Sequence, residues 1–563
     1  MANVTVAADG SGNFSNVGAA LAVVPKRSHR RFVIYIKAGV YHENVTVQKD
    51  QTNVVFVGDG INKTVITASN SNASGAGTLY SPTVAVYGDG FTAQDITFEN
   101  SAGPSSEQAV ALMCDADRST FYRCSFTGYQ DTLFARYQQQ FYRECDVYGT
   151  VDFIFGDAVA VFQNCNLYAR SPLHGQSNVF TAQGRAEATG GSGTVFHNCT
   201  ITAAPELDKS AVRSYLGRPW EKYSRTVVMQ SFLDDLIDPK GWLEWNGTFA
   251  LDTLFYAEYQ NRGPGANTDN RVKWPGYKLL NSSVDAQPFT VRNFIQGDLW
   301  LPSTGVPFHL DLITEACPLE RQSGVLTYGS LFNNATGSTV SLRYRDPIIY
   351  CTNVHAISSP SSPLYTLIEG MKIGNFEPGF LLFAAFLTIQ IFARTINGDE
   401  GLIIKYCDNT TIPDYCIAVL ESDKRSFSAD LRGLVNISIH LSRANATNTY
   451  KFINETLFPN ATDPPMLRQC LQGCIDIYGE AVDALSRALG LLKKGDYWTM
   501  LVKIGVAVDV QYSCEDMFIQ FNVPVPPSLA LRDAVMFNLT SVTNDLGVLL
   551  RGLRLLHSFP MNK

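Results

Sequence analysis

The first six residues, Met-Ala-Asn-Val-Thr-Val, lack both a basic stretch and an apolar stretch. They do not make a secretion signal. Positive charge is also scarce: 44 Lys and Arg stand against 52 Asp and Glu, for a formal net charge of −8. A chain without a basic stripe gives no support for a nucleic-acid partner. Cysteine is sparse, at 12 in 563 residues, so the chain is no dense disulfide scaffold. No apolar run is long enough for a comfortable membrane span; the most apolar stretch, from Phe380 to Phe392, is too short. What remains is an ordinary globular composition, 45% hydrophobic and 17% charged, in a chain long enough for two or more domains.

The apolar run has a second aspect. Met371 and Lys372 precede it, and Ala393 and a polar segment follow, so 371–393 has the layout of a signal peptide inside the chain. It reads as a buried helix, as a single membrane anchor, or as the signal of a second protein fused by readthrough or by a mis-drawn gene boundary; the last is the expectation. Sequons at Asn44, Asn62, Asn198, Asn246, Asn409, Asn436, Asn445, Asn454 and Asn538, densest between Asn409 and Asn460, fit a secreted glycoprotein.

Residues 1–313 carry short β-branched or aromatic runs, such as Arg31–Ile36, Asn53–Val57 and Thr83–Tyr87, bounded by turn residues. One helical pattern, Val17, Ala20, Leu21, Val24, precedes most of them and suits a cap over an open end of the sheet stack. A repeat then emerges. Phe121-Tyr-Arg-Cys124 returns as Phe141-Tyr-Arg-Glu-Cys145, as Phe162-Gln-Asn-Cys165 and, after an insertion, as Phe196-His-Asn-Cys199. The steps from Cys124 to Cys145 and from Cys145 to Cys165 are nearly equal, and their length is the period of a solenoid whose repeats are single coils. Residues one period apart then stack at roughly 4.8 Å, inside the Cα range of a disulfide. Cys145 and Cys165 are candidates for a rung-to-rung bridge, with Cys124 an equal alternative partner on spacing alone. Residues 314–370 show no clean period and contain a Ser/Pro-rich stretch at 358–363, and 314–399, with the signal-like segment 371–393, reads as a linker. Residues 400–563 read as helical: Tyr478, Ala481, Val482, Leu485, Leu489 and Leu492 share one helix face, as do Val542, Leu546, Leu549, Leu550 and Leu553. Their number and length suit a four-helix bundle with a helical N-terminal extension.

The same period organises the polar residues. The step from Asp131 to Asp152 equals that from Cys124 to Cys145, and the step from Gln108 to Gln130 is one position longer. Gln108, the Gln130–Asp131 pair and Asp152 therefore occupy three successive rungs of one ladder. Stacked carboxylates repel, so one of the two must hold its proton unless a cation compensates. Arg218, in Leu-Gly-Arg-Pro-Trp, is the available cation. A guanidinium on one aspartate and not the other separates a nucleophile from a general acid. The plain alternative is a set of polar turn residues. A Ca²⁺ site is a further alternative, disfavoured by the Arg, which would compete with a metal. Trp220 and Trp242 flank the region and read equally as sugar-stacking faces or as core.

Four blocks in order, Val6–Phe14, Gly128-Tyr-Gln-Asp-Thr-Leu133, Gly149-Thr-Val-Asp-Phe-Ile-Phe-Gly156 and Leu216-Gly-Arg-Pro-Trp220, make residues 3–313 similar to plant pectin methylesterases. The resemblance implies a right-handed parallel β-helix and no metal or organic cofactor. It implies that Asp152 attacks the C6 ester carbonyl of a methylated galacturonate and that Asp131 protonates the departing methanol and then activates water. It implies that Gln108 and Gln130 stabilise the oxyanion, that Arg218 orients Asp152, and that Thr78, Trp220 and Trp242 contact the sugar chain. Gln108 and Arg218 also touch the substrate in this reading, and Cys145–Cys165 is the family's bridge. Two positions depart from the pattern: Glu107 where the family has His, and Gln139 where it has Arg.

Residues 400–563 resemble the plant invertase and pectin methylesterase inhibitor family through Cys407-x8-Cys416, Cys474-x3-Tyr478 and Cys514. That resemblance implies bridges Cys407–Cys416 and Cys474–Cys514, with Cys470 unpaired. The expected whole is a multidomain chain, a parallel β-helix followed by an all-α four-helix bundle. The inhibitor-like part follows the esterase-like part, the reverse of the order in the family's proenzymes. The expected partners are methyl-esterified pectin and, within or between chains, an esterase–inhibitor contact. The expected location is the plant cell wall. Competing readings are a catalytically silent pectin-binding β-helix fused to an inhibitor of another enzyme, and a Ca²⁺-dependent pectate lyase.

Overall fold

The chain is described from a computed structural model over residues 2–313, 401–461 and 465–558. The linker expected at 314–399, with its signal-like segment 371–393, lies outside the described residues.

Residues 2–313 coil into a parallel β-helix. Three long sheets of 11, 7 and 8 strands run its length, and every strand pair in them is parallel. Each central coil contributes one strand to each sheet, so the chain visits all three faces before stepping to the next rung; the end coils add strands to the 11-stranded sheet alone. The coil starting at Leu133–Ala135 continues through Gln139–Arg143 and Asp146–Gly149, and the next repeats it with Ile154–Gly156, Val159–Gln163 and Asn166–Ala169. The register is Leu133 on Ile154, Tyr142 on Phe162 and Val147 on Leu167. The helix Val17–Leu21 is capped by the Asn16 side chain and buries Val17, Ala20 and Leu21 in the β-helix core.

Stacking in register fills that core with ladders of like residues. Phe121 and Tyr142 stack at 4.9 Å between ring centroids, and Tyr142 and Phe162 at 4.2 Å. Aromatic pairs of this kind contribute about 0.5–1.5 kcal/mol beyond their buried area. The ladder corrects the repeat alignment by one position: Tyr142, not Phe141, continues the column of Phe121. The coil holds one more residue between Phe141 and Cys145 than its predecessor does, so Phe141 turns to the opposite face and packs with Val159, Val161 and Val195.

The cysteine ladder gives a second correction. Cys145 and Cys165 are free thiols, as are Cys124 and Cys199. Three of these thiols donate to a carbonyl of the preceding coil: Cys145 to Phe121, Cys165 to Tyr142 and Cys199 to Phe162, at 3.4, 3.5 and 3.3 Å. In-register side chains point the same way at a spacing of about 4.8 Å, more than twice an S–S bond. A bridge would require two neighbours to turn toward each other and give up these carbonyls.

The helices that follow form a four-helix bundle around one core. Its members are Leu431–Phe452, Pro465–Lys494, the broken pair Tyr497–Val508 and Val510–Gln520, and Pro527–Ser558. Tyr478, Ala481, Leu485, Leu489 and Leu492 are buried, with Val482 at the margin, as one helix face requires. Disulfide Cys407–Cys416 joins the short helices Leu402–Cys407 and Pro413–Glu421, and Cys474–Cys514 pins two bundle helices; Cys470 is free.

Candidate active site

The two aspartates sit at equivalent points of adjacent coils, just before the strands Leu133–Ala135 and Ile154–Gly156. Both adopt left-handed backbone, φ 62° at Asp131 and φ 52° at Asp152. Asp is among the few L-residues that enter this region readily, and its use in functional positions is common. The sharp turn lets a buried backbone present its carboxyl to a cleft. Gln108 and Gln130 lie on the rungs before them, and all four line one 620 Å³ cavity with Thr78, Arg218 and Trp220.

Arg218 arrives from a later coil, on the short strand Arg218–Pro219 that pairs with Ala182 and Gln183. Its Nε donates to Asp152 Oδ1 at 2.9 Å and its Nη2 to Oδ2 at 2.5 Å, a two-pronged grip. Among the described residues no such partner reaches the Asp131 carboxyl. Burial pushes both carboxyls up; the Asp131 carboxyl is raised well above the usual range, with the charge of Asp152 adding to burial, whereas Arg218 opposes the rise at Asp152. The pair is thus electrostatically unequal: Asp131 is pushed further toward its protonated form, while Arg218 orients Asp152 and opposes the loss of its charge. Gln108 Oε1 is buried without a hydrogen-bond partner among the described residues. Arg218 occupies both oxygens of Asp152, which disfavours a divalent cation there.

Trp242 does not belong to the cavity. It is fully buried, stacks on Tyr256 at 4.3 Å and turns its indole N–H toward Glu258. Trp245, three residues on, takes the cleft position: it is 38% exposed, lines the cavity and lies under the Arg218 guanidinium at 4.4 Å. Phe134 and Phe155, stacked at 4.3 Å, complete an aromatic wall with Trp220. Their separation repeats that of the aspartates, so the period could have found these two. Trp245 offers no such signal, because it lies outside the repeat. Of the two departures, Glu107 accepts from Asn72 at the cavity rim at 2.6 Å, and Gln139 is buried with both side-chain polar atoms unpartnered among the described residues.

Bundle residues form the remaining wall. Ile477, Ser513, Asp516, Met517, Ile519 and Gln520 line the same cavity. Gln520 donates to Thr78 Oγ1 at 2.7 Å, Tyr137 shares a hydrogen bond with Ser513 at 2.8 Å, and Tyr80 donates to Asp476 at 2.7 Å. Around them, buried Arg136 bridges Asp115 and Glu480 at 3.1 and 2.9 Å, and Lys503 donates to Gln138 at 2.6 Å.

A family model described as Pectinesterase matches residues 3–298. The chain belongs to the pectinesterase family. A second model, Plant invertase/pectin methylesterase inhibitor, matches residues 401–546. The chain is 56% identical over 309 residues to pectinesterase 2 of Citrus sinensis, covering 54% of this chain and 60% of that one. It is 55% identical over 306 residues to pectinesterase/pectinesterase inhibitor PPE8B of Prunus persica, covering 54% and 59%. It therefore spans a little over half the length of the curated relatives it matches. Among solved structures, pectin methylesterase from carrot aligns with 51% identity and a TM-score of 0.55, over 55% of this chain and 98% of that one.

Proposed function

We propose that residues 1–313 are the catalytic domain of an aspartyl esterase that removes the C6 methyl groups of pectin, and that residues 400–563, joined by the linker 314–399, hold it in check. The observation that carries this reading is the unequal aspartate pair: Asp152 gripped by Arg218, and Asp131 buried with no cation on its carboxyl. The ionised Asp152 attacks the ester carbonyl. Protonated Asp131 gives its proton to the methanol oxygen as the C–O bond breaks, then takes one from the water that opens the acyl-enzyme. Gln108 and Gln130 supply amide donors to the oxyanion, a contribution of about 3–4 kcal/mol per donor in comparable sites. Thr78, Trp220 and Trp245 give the sugar chain polar and aromatic contacts. The relatives named pectinesterase support the substrate. Two disulfides and the cluster of sequons support secretion to the cell wall.

The bundle wall across the cleft supports a closed, restrained esterase. The double variant Glu480→Arg with Lys503→Glu places like charge against Arg136 and Asp117, and breaking buried pairs costs about 3–5 kcal/mol each. Methanol release from esterified pectin should rise at least tenfold over the unmodified chain. Equal rates would remove the restraint; no methanol from either would remove the esterase.

A further inference from the structure

A second cavity, of 810 Å³, shares no lining residue with the aspartate cleft. One wall comes from the β-helix and its C-terminal segment, including Arg185, Arg225 and Phe289; the other comes from the bundle, including Trp498 and Arg551. Its volume falls within the range of small-ligand sites, roughly 300–1,000 Å³. Three arginines line it and, among the described residues, no carboxylate does. None of the three has an ion-pair partner within 4 Å among the described residues. Three guanidiniums carry about fifteen N–H donors. Arg185 uses two, on the carbonyls of Tyr223 and Ala188, and Arg225 one, on Gly191 at 3.4 Å.

The cations are also set in place. The Arg225 stem lies across Gly193, where a Cβ would meet its Cδ at 2.9 Å. Arg551 stacks on the Trp498 ring at 4.2 Å. Two buried donors of the same walls, Arg185 Nε and Trp498 Nε1, have no acceptor among the described residues. Burial depresses Arg225 to about 9 and Arg185 to about 10, and the Arg185 charge adds to the fall at Arg225. Cations drawn out of water without an ion-pair partner are costly, and a carboxylate in the cavity offsets that cost at the guanidiniums it reaches.

We propose that this cavity is a non-catalytic binding site for a short oligouronate, its carboxylates on Arg225 and Arg551 and a ring face against the aromatic side chains. The choice of a uronate rests on the esterase reading, whose product is a pectate chain; the aromatic walls favour a sugar acid over a bare anion. A uronate there touches both walls, so the product of the reaction adds contacts that keep the bundle in place.

Isothermal titration of the full chain with trigalacturonate, beside inorganic phosphate and neutral maltotriose, tests the site. Trigalacturonate should bind, and its affinity should fall at least tenfold in Arg225→Gln and in Arg551→Gln, while Lys26→Gln, an exposed cation outside both cavity linings, leaves it unchanged. Arg225 is part of a strand, so Arg551→Gln, near a helix end, decides the outcome if the first variant misfolds. Binding lost in Trp220→Ala but kept in Arg551→Gln places the sugar in the cleft and overturns the proposal. Phosphate binding as tightly as trigalacturonate marks charge alone and overturns it too, as does absence of trigalacturonate binding. Methanol release by the Glu480→Arg, Lys503→Glu variant reads the esterase separately. Release together with an affinity indifferent to Arg551 defeats this site and leaves the esterase standing; arginine-dependent binding without release does the reverse.

Discussion

The coils of residues 2–313 and the helices between 401 and 558 reach a dry core by different routes. In the coils, each core residue sits on its counterpart one repeat away, as Tyr142 sits on Phe162. Position along the chain then translates directly into position in space, and a polar pair one period apart is a contact. In the bundle, periodicity identifies the buried face but not which helix it meets, and covalent pins such as Cys474–Cys514 help hold the helices together. A solenoid therefore writes its active site into its period, whereas the bundle leaves its partner surface unwritten. The residues that meet the cleft, Ser513, Asp516 and Gln520, share one helix face by their spacing of three and four, but that spacing does not say what the face meets.

The two tryptophans of Gly-Trp242-Leu-Glu-Trp245 break the comparison most sharply. Trp242→Ala should lower stability by about 3–5 kcal/mol, because the ring is fully buried against Tyr256. Trp245→Ala should leave the thermal midpoint nearly unchanged and raise KM for pectin. Denaturant unfolding and steady-state kinetics on the two variants separate these roles, and the reverse pattern would return Trp242 to the substrate.

Reduction should divide the two regions. Loop-closure entropy assigns about 4 kcal/mol to Cys474–Cys514, which closes 40 residues, and about 2.5 kcal/mol to Cys407–Cys416, which closes 9. Dithiothreitol should lower the bundle's melting transition and leave that of the β-helix in place, since its thiols are already free. A β-helix transition that falls on reduction would reinstate Cys145–Cys165.

Much of the site was legible, for a physical reason. Asp131, Asp152 and the glutamines follow the period, and the need of a buried carboxylate for a counter-charge selected Arg218. Trp245 was not legible, because a side chain in an irregular turn takes its direction from what packs beneath it. The disulfide was misread because spacing reports that two cysteines are neighbours but not which way they point. The column of Phe121 was misaligned because one extra residue before Cys145 reverses the facing of Phe141.

A smaller effect should appear with pH. Glu221, Glu187 and Asp516 are raised to about 8, 7 and 6, by burial first and then by carboxylates facing them, Asp516 on Glu221 and Asp545 on Glu187 across the bundle contact. Acids with raised values favour the docked state while protonated. That contribution is complete below about pH 4, the ordinary range, and is lost as pH climbs through 6 to 8. The ratio of methanol release by the Glu480→Arg, Lys503→Glu variant to that of the unmodified chain should shrink between pH 5 and pH 8. A constant ratio would show that these acids do not govern docking.

The central claim concerns Asp152 as the group that bonds to the substrate. Introduced into the Glu480→Arg, Lys503→Glu background, Asp152→Ala should reduce methanol release to the uncatalysed level with circular dichroism unchanged. A folded variant that keeps a substantial fraction of the parent rate would contradict it.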